Sequence, residues 1–215
     1  MTITTLAGLT LLIIAAYLLG SLSGSLLLGR VYRLDIRQSG SGNAGGTNAL
    51  RARGWRFALP VVTIDVGKGA VATGLMPLLW PLPLPPIDAV AAACGVAAIL
   101  GHVFPVFFGF RGGKGAATFV GGLLGMLPLV ALGLIVLWLL CLTLTGFVGL
   151  STICASLGTV LLSLWLAPEP SMPWAFVFCV LAAMTVVLAH HSNVRRLFAG
   201  TEPRMPKAMV FRRWQ

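Results

Sequence analysis

The chain has 215 residues, of which 58% are hydrophobic and only 9% charged, with a formal net charge of +10. Soluble domains carry about 25% charged residues, so this composition excludes a water-soluble enzyme or a sizeable soluble domain and predicts a polytopic membrane protein. The basic residues are clustered: six within residues 30–56, then Lys68, Arg111 and Lys114, and six within residues 195–213. That is not the continuous basic face of a nucleic-acid-binding protein; it is the loop pattern that marks the cytoplasmic side of an inserted chain, where some cations also meet anionic lipid headgroups.

The N-terminal stretch is apolar without a positive leader. Residues 5–28 are too long for a signal-peptide core and run into basic residues, so they are expected to be a retained first membrane helix passing from outside to inside. Gly20, Ser21, Ser23, Gly24 and Ser25 crowd its second half, and small residues let membrane helices pack closely. Residues 31–56, with SGSGNAGGTNALRARG, form the longest polar segment, cytoplasmic by charge. Residues 57–80 are the next span, although they carry Asp65 and Lys68. Ionisable groups in a span face the protein interior and pair there, and i, i+3 spacing places these two on one helix face. Both an internal ion pair and a direct chemical role fit them.

Residues 80–88 are a proline-rich turn with an acid and no base, and read as outside. Residues 89–108 return the chain inward to GHVFPVFFGFRGGKGAAT at 101–118. No charge follows until the turn Pro168-Glu169-Pro170-Ser171, again read as outside. Residues 174–189 go back in, ending at His190, His191 and the basic tail. An odd number of crossings must separate an inside loop at 101–118 from an outside turn at 169. Three spans of about 17 residues each lie at the lower length limit, with breaks near Pro128 and residues 143–149. The expected architecture is an all-α polytopic membrane protein of about seven transmembrane helices, N-terminus outside and C-terminus cytoplasmic, with residues 1–215 forming a single integral-membrane domain. Cys94, Cys141, Cys154 and Cys179 all lie in apolar runs without a C-x-x-C, as core hydrophobes rather than ligands or disulfides.

Four polar clusters then share one membrane face: residues 39–53, residues 101–118, the turn around Ser151, and residues 190–196. Glycine lets backbone N–H groups converge on a ligand and lysine adds a compact positive charge, so Gly112-Gly113-Lys114-Gly115 suggests an anion site, most simply for phosphate. Several motif matches are false. Gly40-Ser-Gly42-Asn-Ala-Gly45 follows no strand and opens no βαβ unit, and Gly113-Lys114-Gly115 lacks Walker A spacing. There is no metal-ligand set, and no cofactor is expected. None of His102, His190 and His191 is followed five residues on by an acid. What remains is a first loop offering Ser41, Gly42, Asn43, Gly45, Thr47, Asn48 and Arg51, a second offering His102, Gly112, Gly113, Lys114 and Thr118, and a third cluster with His190 and Asn193 on one helical face.

These motifs resemble the bacterial acyl-phosphate-dependent glycerol-3-phosphate acyltransferases of phospholipid synthesis. The family's S-G-N-P-G-A-T-N-x-x-R is matched by residues 41–51, its G-H-x-F-P-x-F-x-x-F-K-G-G-K-G-V-A-T by residues 101–118, and its H-x-x-N-I-x-R-L-x-x-G-x-E by His190, Asn193, Arg196, Leu197, Gly200 and Glu202. Asp65, Lys68 and Gly69 fit its D-x-x-K-G. Ala44, Gly46 and Arg111 depart from the pattern, and Gly146 and Gly149 replace the Arg and first Ser of R-Y-V-S-L-S-S, leaving Ser151 as that turn's candidate.

The resemblance implies acyl transfer from a fatty acyl-phosphate to the sn-1 hydroxyl of glycerol 3-phosphate, giving lysophosphatidate and phosphate, in a multi-pass protein of the bacterial inner membrane that works as a monomer with its site facing the cytoplasm. The acyl-phosphate headgroup is assigned to residues 42–48, and glycerol 3-phosphate to Arg51, Lys114, Asn193 and Ser151. Lys114 also balances charge developing on the carbonyl oxygen, and the acyl chain lies between helices. His102 and His190 are the side chains with suitable pKa values for a base, but an acyl-phosphate is already activated and its own phosphate can take the hydroxyl proton; the reading leans to the latter. The alternative is a small-anion transporter, which needs a polar pathway that the outer half of the sequence does not supply.

Overall fold

The computed structural model of the chain describes residues 2–79, 85–166 and 173–210, and among these every regular element is helical. The elements are α1 (Ile3–Gly20), α2 (Gly24–Val31), α3 (Gly46–Arg53), α4 (Trp55–Ala70), α5 (Ile87–Val103), α6 (Ala116–Met126), α7 (Pro128–Thr145), α8 (Val148–Leu166), α9 (Pro173–Ala189) and α10 (His191–Phe198). A π-helical turn at Val71–Leu75 and a tighter turn at Met76–Leu79 prolong α4. Five apolar runs are long enough to cross a bilayer: Ile3–Gly20, Trp55–Leu79, Ile87–Phe108, Pro128–Thr145 and Val148–Leu166. A sixth exists if α9 and α10, bent by 53° at His190, are taken together. α6 has only 11 residues, about 16 Å at 1.5 Å per residue. The turns expected to face outward, at 80–88 and 168–171, lie largely outside the described residues.

The two breaks expected in the uncharged third of the chain are present. α7 begins at Pro128, where proline's missing N–H costs nothing in a first helical turn. It ends at Gly146, two residues before α8. The expected single first helix over 5–28 is instead two helices, parted at Ser21, Leu22 and Ser23. Lys68 Nζ, from α4, donates to the carbonyls of Gly20 at 2.8 Å and Leu22 at 3.1 Å, and the N–H of Gly24 donates to Asp65 Oδ1 at 3.1 Å. A foreign side chain takes the carbonyls that the helical ladder would have used, which is how helices break without proline.

α1 packs on α5, α4 on α6, α7 on α8, and α9 on both α5 and α8. The largest apolar core joins α5 to α9 and centres on Phe119 and Phe178, whose rings meet edge to face at 5.7 Å, a favoured aromatic geometry. The buried hydroxyls of Ser151, Thr152 and Thr159 turn back onto carbonyls of α8 or the turn before it, so they are satisfied without a partner helix. Large apolar side chains cover the outside, among them Leu161 at 70% and Trp165 at 86% exposure, as a lipid-facing surface requires.

Arginines brace one end of the bundle. Arg37 pairs with Asp35 at 2.8 Å and donates to the carbonyls of Phe108 and Arg111. Arg30 donates to the carbonyl of Phe107 at 3.2 Å and lies over the Phe108 ring. Tyr17 donates to the carbonyl of Phe104 at 2.6 Å. The loop after α2 and the loop after α5 are thereby tied together, and between them lies a polar cleft.

Candidate active site

The cleft contains about 820 Å³ of empty volume open to solvent. All four polar clusters singled out in the sequence contribute to it: Ser41 to Arg51, His102 with Lys114, the start of α8, and His190 with Asn193 and Arg196.

Two helix N-termini open into this space. Gly45 precedes α3 and Gly115 precedes α6, and neither has a side chain to cap the helix. The first-turn N–H groups of a helix have no intrahelical acceptor and carry the positive end of its dipole. Gly46 and Thr47 of α3 and Ala116 and Ala117 of α6 line the cleft, so both ends present donors to an anion. Gly115 adopts φ 82°, a left-handed conformation that favours glycine.

Lys114, next to Gly115, lines the same cleft. Its Nζ donates to Asn193 Oδ1 and lies 3.4 Å from Ser192 Oγ. Asn193 Nδ2 donates to Glu202 Oε1 at 2.6 Å, and Arg196 Nε to Glu202 Oε2 at 2.7 Å. One buried carboxylate thus orients an amide and a guanidinium, and the amide orients the lysine. Burial, and next the neighbouring charge of Arg196, lower the Lys114 pKa to about 8, against the opposing pull of Glu202. Arg51 lines the cleft and, among the described residues, makes no ion pair.

The glycine-rich loops work differently from the expectation that their N–H groups cradle the anion. The N–H groups of Gly112 and Gly113 donate to the carbonyls of Val103 and His102, each at 3.1 Å, and that of Gly42 to Ser39 at 3.1 Å. Gly112 is not on the cleft wall. A Cβ at Gly113 would strike the His102 imidazole, so glycine there permits the loop to lie flat on that ring. Gly42 and Gly113 instead line a second groove, between α5 and α9, which shares Ser41, Asn43 and Lys114 with the cleft. Asn48 touches the cleft but is only 2% exposed. Its Nδ2 lies 3.0, 2.9 and 3.0 Å from the carbonyls of Ile36, Ser39 and Asn43, and its Oδ1 accepts from the N–H of Ser41. It shapes the loop from within. Ser41, Asn43, Gly45 and Thr47 are left on the wall.

Ser151 is fully buried, donates to the carbonyl of Phe147 at 2.8 Å and does not line the cleft. Val148, Gly149 and Thr152 line it instead. Gly149 packs directly on Asn193, so the absence of a larger residue there makes room for that side chain. Thr118 is also buried away from the cleft, with no partner for its hydroxyl among the described residues.

His102 and His190 are both on the wall, and each has a fixed Nδ1 contact. His190 Nδ1 lies 2.7 Å from the carbonyl of Val186. His102 Nδ1 lies 2.8 Å from Lys68 Nζ and 3.3 Å from Asp65 Oδ1, and Lys68 pairs with Asp65 at 3.0 Å. The internal ion pair read from i, i+3 spacing is therefore present, and it adjoins a histidine of the cleft. A search for an acid at fixed spacing from a histidine in sequence could not find this neighbour, since Asp65 arrives from another helix. Glu202 and Arg196 were visible only as parts of a motif; nothing in the sequence alone tied them to Lys114.

A third cavity continues the cleft into the bundle. It shares Thr47, Val62, Ala116, Ala117, Val148 and Thr152 with it and runs on between α4, α6, α7 and α8 past Phe119, Leu134, Ile135 and Trp138. Its wall is almost wholly apolar, and Trp138 Nε1 is satisfied by Thr152 Oγ1 at 3.1 Å.

A family model described as glycerol-3-phosphate acyltransferase matches residues 10–200. A glycerol-3-phosphate acyltransferase of Photobacterium profundum is 42% identical over 196 residues, covering 91% of this chain and 92% of its own length. One from Bacillus velezensis is 38% identical, covering 92% and 97%. The crystal structure of PlsY (YgiH), an integral membrane glycerol 3-phosphate acyltransferase, in its glycerol 3-phosphate form superposes with a TM-score of 0.79 at 31% identity, covering 92% of this chain and 96% of that one. Its lysophosphatidic acid form gives a TM-score of 0.78.

Proposed function

Because the chain belongs to the glycerol-3-phosphate acyltransferase family, we propose that its cleft transfers a fatty acyl group from an acyl-phosphate to the sn-1 hydroxyl of glycerol 3-phosphate. The hydroxyl oxygen attacks the acyl carbonyl, an ester C–O bond forms, the C–O bond of the mixed anhydride breaks, and phosphate leaves with the hydroxyl proton. Lysophosphatidate is the other product. The observation that carries this reading is the convergence of two helix N-termini, Lys114 and Arg51 on one cleft that opens into an apolar cavity. Two phosphates need two sets of donors, and one of the two substrates needs a dry slot for its chain.

The headgroup of the acyl-phosphate belongs at the α3 end, against Ser41, Asn43 and the first-turn N–H groups of Gly46 and Thr47. Its chain follows the apolar cavity between α4, α6, α7 and α8. Glycerol 3-phosphate sits against Lys114, Arg51, Asn193 and Arg196, with its hydroxyl facing the carbonyl. Phosphate is a good leaving group and its own oxygens take the proton, so the protein's task is mainly orientation and stabilisation of charge on the carbonyl oxygen by Lys114 and the α6 N-terminus. No cofactor enters the reaction.

In the membrane, seven crossings result if the short α6 is one of them. The N-terminus then lies outside, and the C-terminus and the cleft face the cytoplasm of the bacterial inner membrane. The single domain works as a monomer.

The test is purified protein with acyl-phosphate and glycerol 3-phosphate, following phosphate release and lysophosphatidate formation. Release dependent on both substrates is expected. Turnover with an acyl thioester but not with acyl-phosphate would overturn the donor assignment, and anion counterflow in vesicles without release would replace the enzyme by a transporter.

A further inference from the structure

We infer that His102 serves the acyl transfer as a hydrogen-bond donor through Nε2–H, and that Lys68, anchored by Asp65 and by the broken α1–α2 junction, is the positioning residue that forces this tautomer. The inference rests on the proposed acyl transfer and adds a role that its reaction scheme does not contain.

A lysine ammonium has three N–H bonds and accepts none. Lys68 Nζ has four polar partners within 3.1 Å: Gly20 O and His102 Nδ1, each at 2.8 Å, are the nearest, followed by Asp65 Oδ1 at 3.0 Å and Leu22 O at 3.1 Å. The carboxylate of Asp65 balances the charge at 3.0 Å. Lys68 and Asp65 are almost completely buried, 4% and 1% exposed, and an isolated ion at such a site is costly, whereas a paired and fully bonded one is tolerated. An N···N contact of 2.8 Å needs one donor and one acceptor, and an ammonium only donates, so His102 Nδ1 accepts. A neutral imidazole that accepts at Nδ1 carries its proton at Nε2.

The familiar alternative is an acid–histidine pair in which Asp65 accepts from Nδ1–H and leaves Nε2 as a base. The geometry runs against it. Asp65 Oδ1 is farther from Nδ1, at 3.3 Å, than Lys68 Nζ, at 2.8 Å. That oxygen already accepts from the N–H of Gly24 at 3.1 Å. A second proton on Nδ1 would also put an imidazolium against an ammonium.

His102 Nε2 lies against Gly113, next to Lys114, and the residue lines the cleft. Among the described residues Nε2 has no hydrogen-bond partner. Nε2–H is thus the ring's one remaining donor, on a residue of the cleft wall and beside the loop that carries Lys114. His190 is fixed the other way: a carbonyl cannot donate, so its Nδ1, 2.7 Å from the carbonyl of Val186, carries the proton and its Nε2 presents a lone pair. The cleft thus holds two neutral histidines of opposite polarity. His102 keeps its proton throughout the reaction and stabilises charge; it does not receive the hydroxyl proton.

The experiment is ¹⁵N-histidine NMR on the full chain in lipid nanodiscs, with the His102 signals assigned by their loss in His102→Gln, combined with kinetics. Nε2 protonated and Nδ1 unprotonated is expected for His102, and the reverse for His190. In Lys68→Met the His102 proton should move to Nδ1, and kcat should fall at least tenfold. Glutamine supplies an amide N–H but no base, so His102→Gln should keep activity within about tenfold of wild type, while His102→Ala loses about 10²–10³, the cost of one donor to a developing oxyanion. A protonated Nδ1 on His102 in the wild-type protein overturns the inference. So does His102→Gln as inactive as His102→Ala with substrate affinity intact, the result a general base would give. The wild-type tautomer decides even if Lys68→Met fails to fold. Because it is read without substrate, failure of the acyl-transfer reading, seen as no phosphate release from wild type, is distinguishable from failure of this one.

Discussion

Lys114 is the cation on which glycerol 3-phosphate binding is expected to depend most. Its ammonium is held by Asn193 and, through that amide, by Glu202. Lys114→Met should lower kcat/KM by about 10²–10³, the range for loss of one charge-stabilising donor, with little change in unfolding temperature. The pH dependence follows from its pKa of about 8, lowered first by burial and then by the charge of Arg196. The protonated form binds phosphate, so the useful charge is present below pH 8 and lost above it. The pH profile of kcat/KM for glycerol 3-phosphate, which reports the free enzyme, should therefore descend through about 8; a flat profile to pH 9.5 would remove Lys114 from that role. Asn48 makes a contrasting prediction. Its amide joins Ile36, Ser39, Ser41 and Asn43 from inside the loop. Asn48→Ala should cost about 1–3 kcal/mol of stability by leaving buried groups unpaired, seen in denaturation of the detergent-solubilised protein.

At the scale of elements, the site is made of helix ends. α3 and α6 contribute N-termini, α5 brings His102 in its last turn, and the bend between α9 and α10 presents His190 and Asn193. Helix ends suit this work because their unsatisfied backbone groups are fixed before substrate arrives. The walls of α4, α6, α7 and α8 enclose the apolar cavity that the proposed function assigns to the acyl chain. Ile135 lines it deep on the α7 side, beyond the residues shared with the cleft. Ile135→Trp should fill it and cost a long-chain acyl-phosphate about 1–3 kcal/mol, by the measure of core overpacking, while a short-chain donor is spared. The ratio of kcat/KM for the two donors is the readout, and an unchanged ratio would place the chain elsewhere, with the α5–α9 groove the next choice.

For the whole molecule the testable quantity is topology. Cysteine introduced at Thr201, in an otherwise cysteine-free chain, should react with an impermeant thiol reagent only from the cytoplasmic side, and cysteine at Ser171 only from the outside. Labelling from the same side would remove the seven-span arrangement. The bundle also explains why the basic residues cluster. Charge bias orients the chain, but Arg30 and Arg37 spend their guanidinium groups on loop carbonyls, and Arg196 on Glu202. These basic residues hold the mouth of the cleft in shape.

Much of this was legible in the amino-acid sequence. Membrane class follows from hydropathy, which adds up locally along the chain. The breaks before Pro128 and at Gly146 follow from residues with local backbone rules. The meeting of the four polar clusters in one cleft agrees with the single face expected for them from charge. The rest depended on contacts between segments far apart in sequence. Only the packed bundle sends Lys68 into the gap that splits α1 from α2, sets Asp65 and Lys68 beside His102, turns the N–H groups of Gly112 and Gly113 toward carbonyls, takes Ser151 off the cleft wall and links Lys114 through Asn193 to Glu202. Such pairings are set by the angle and depth at which helices cross. Side-chain volumes from several helices fix that geometry jointly, and no window of sequence contains it.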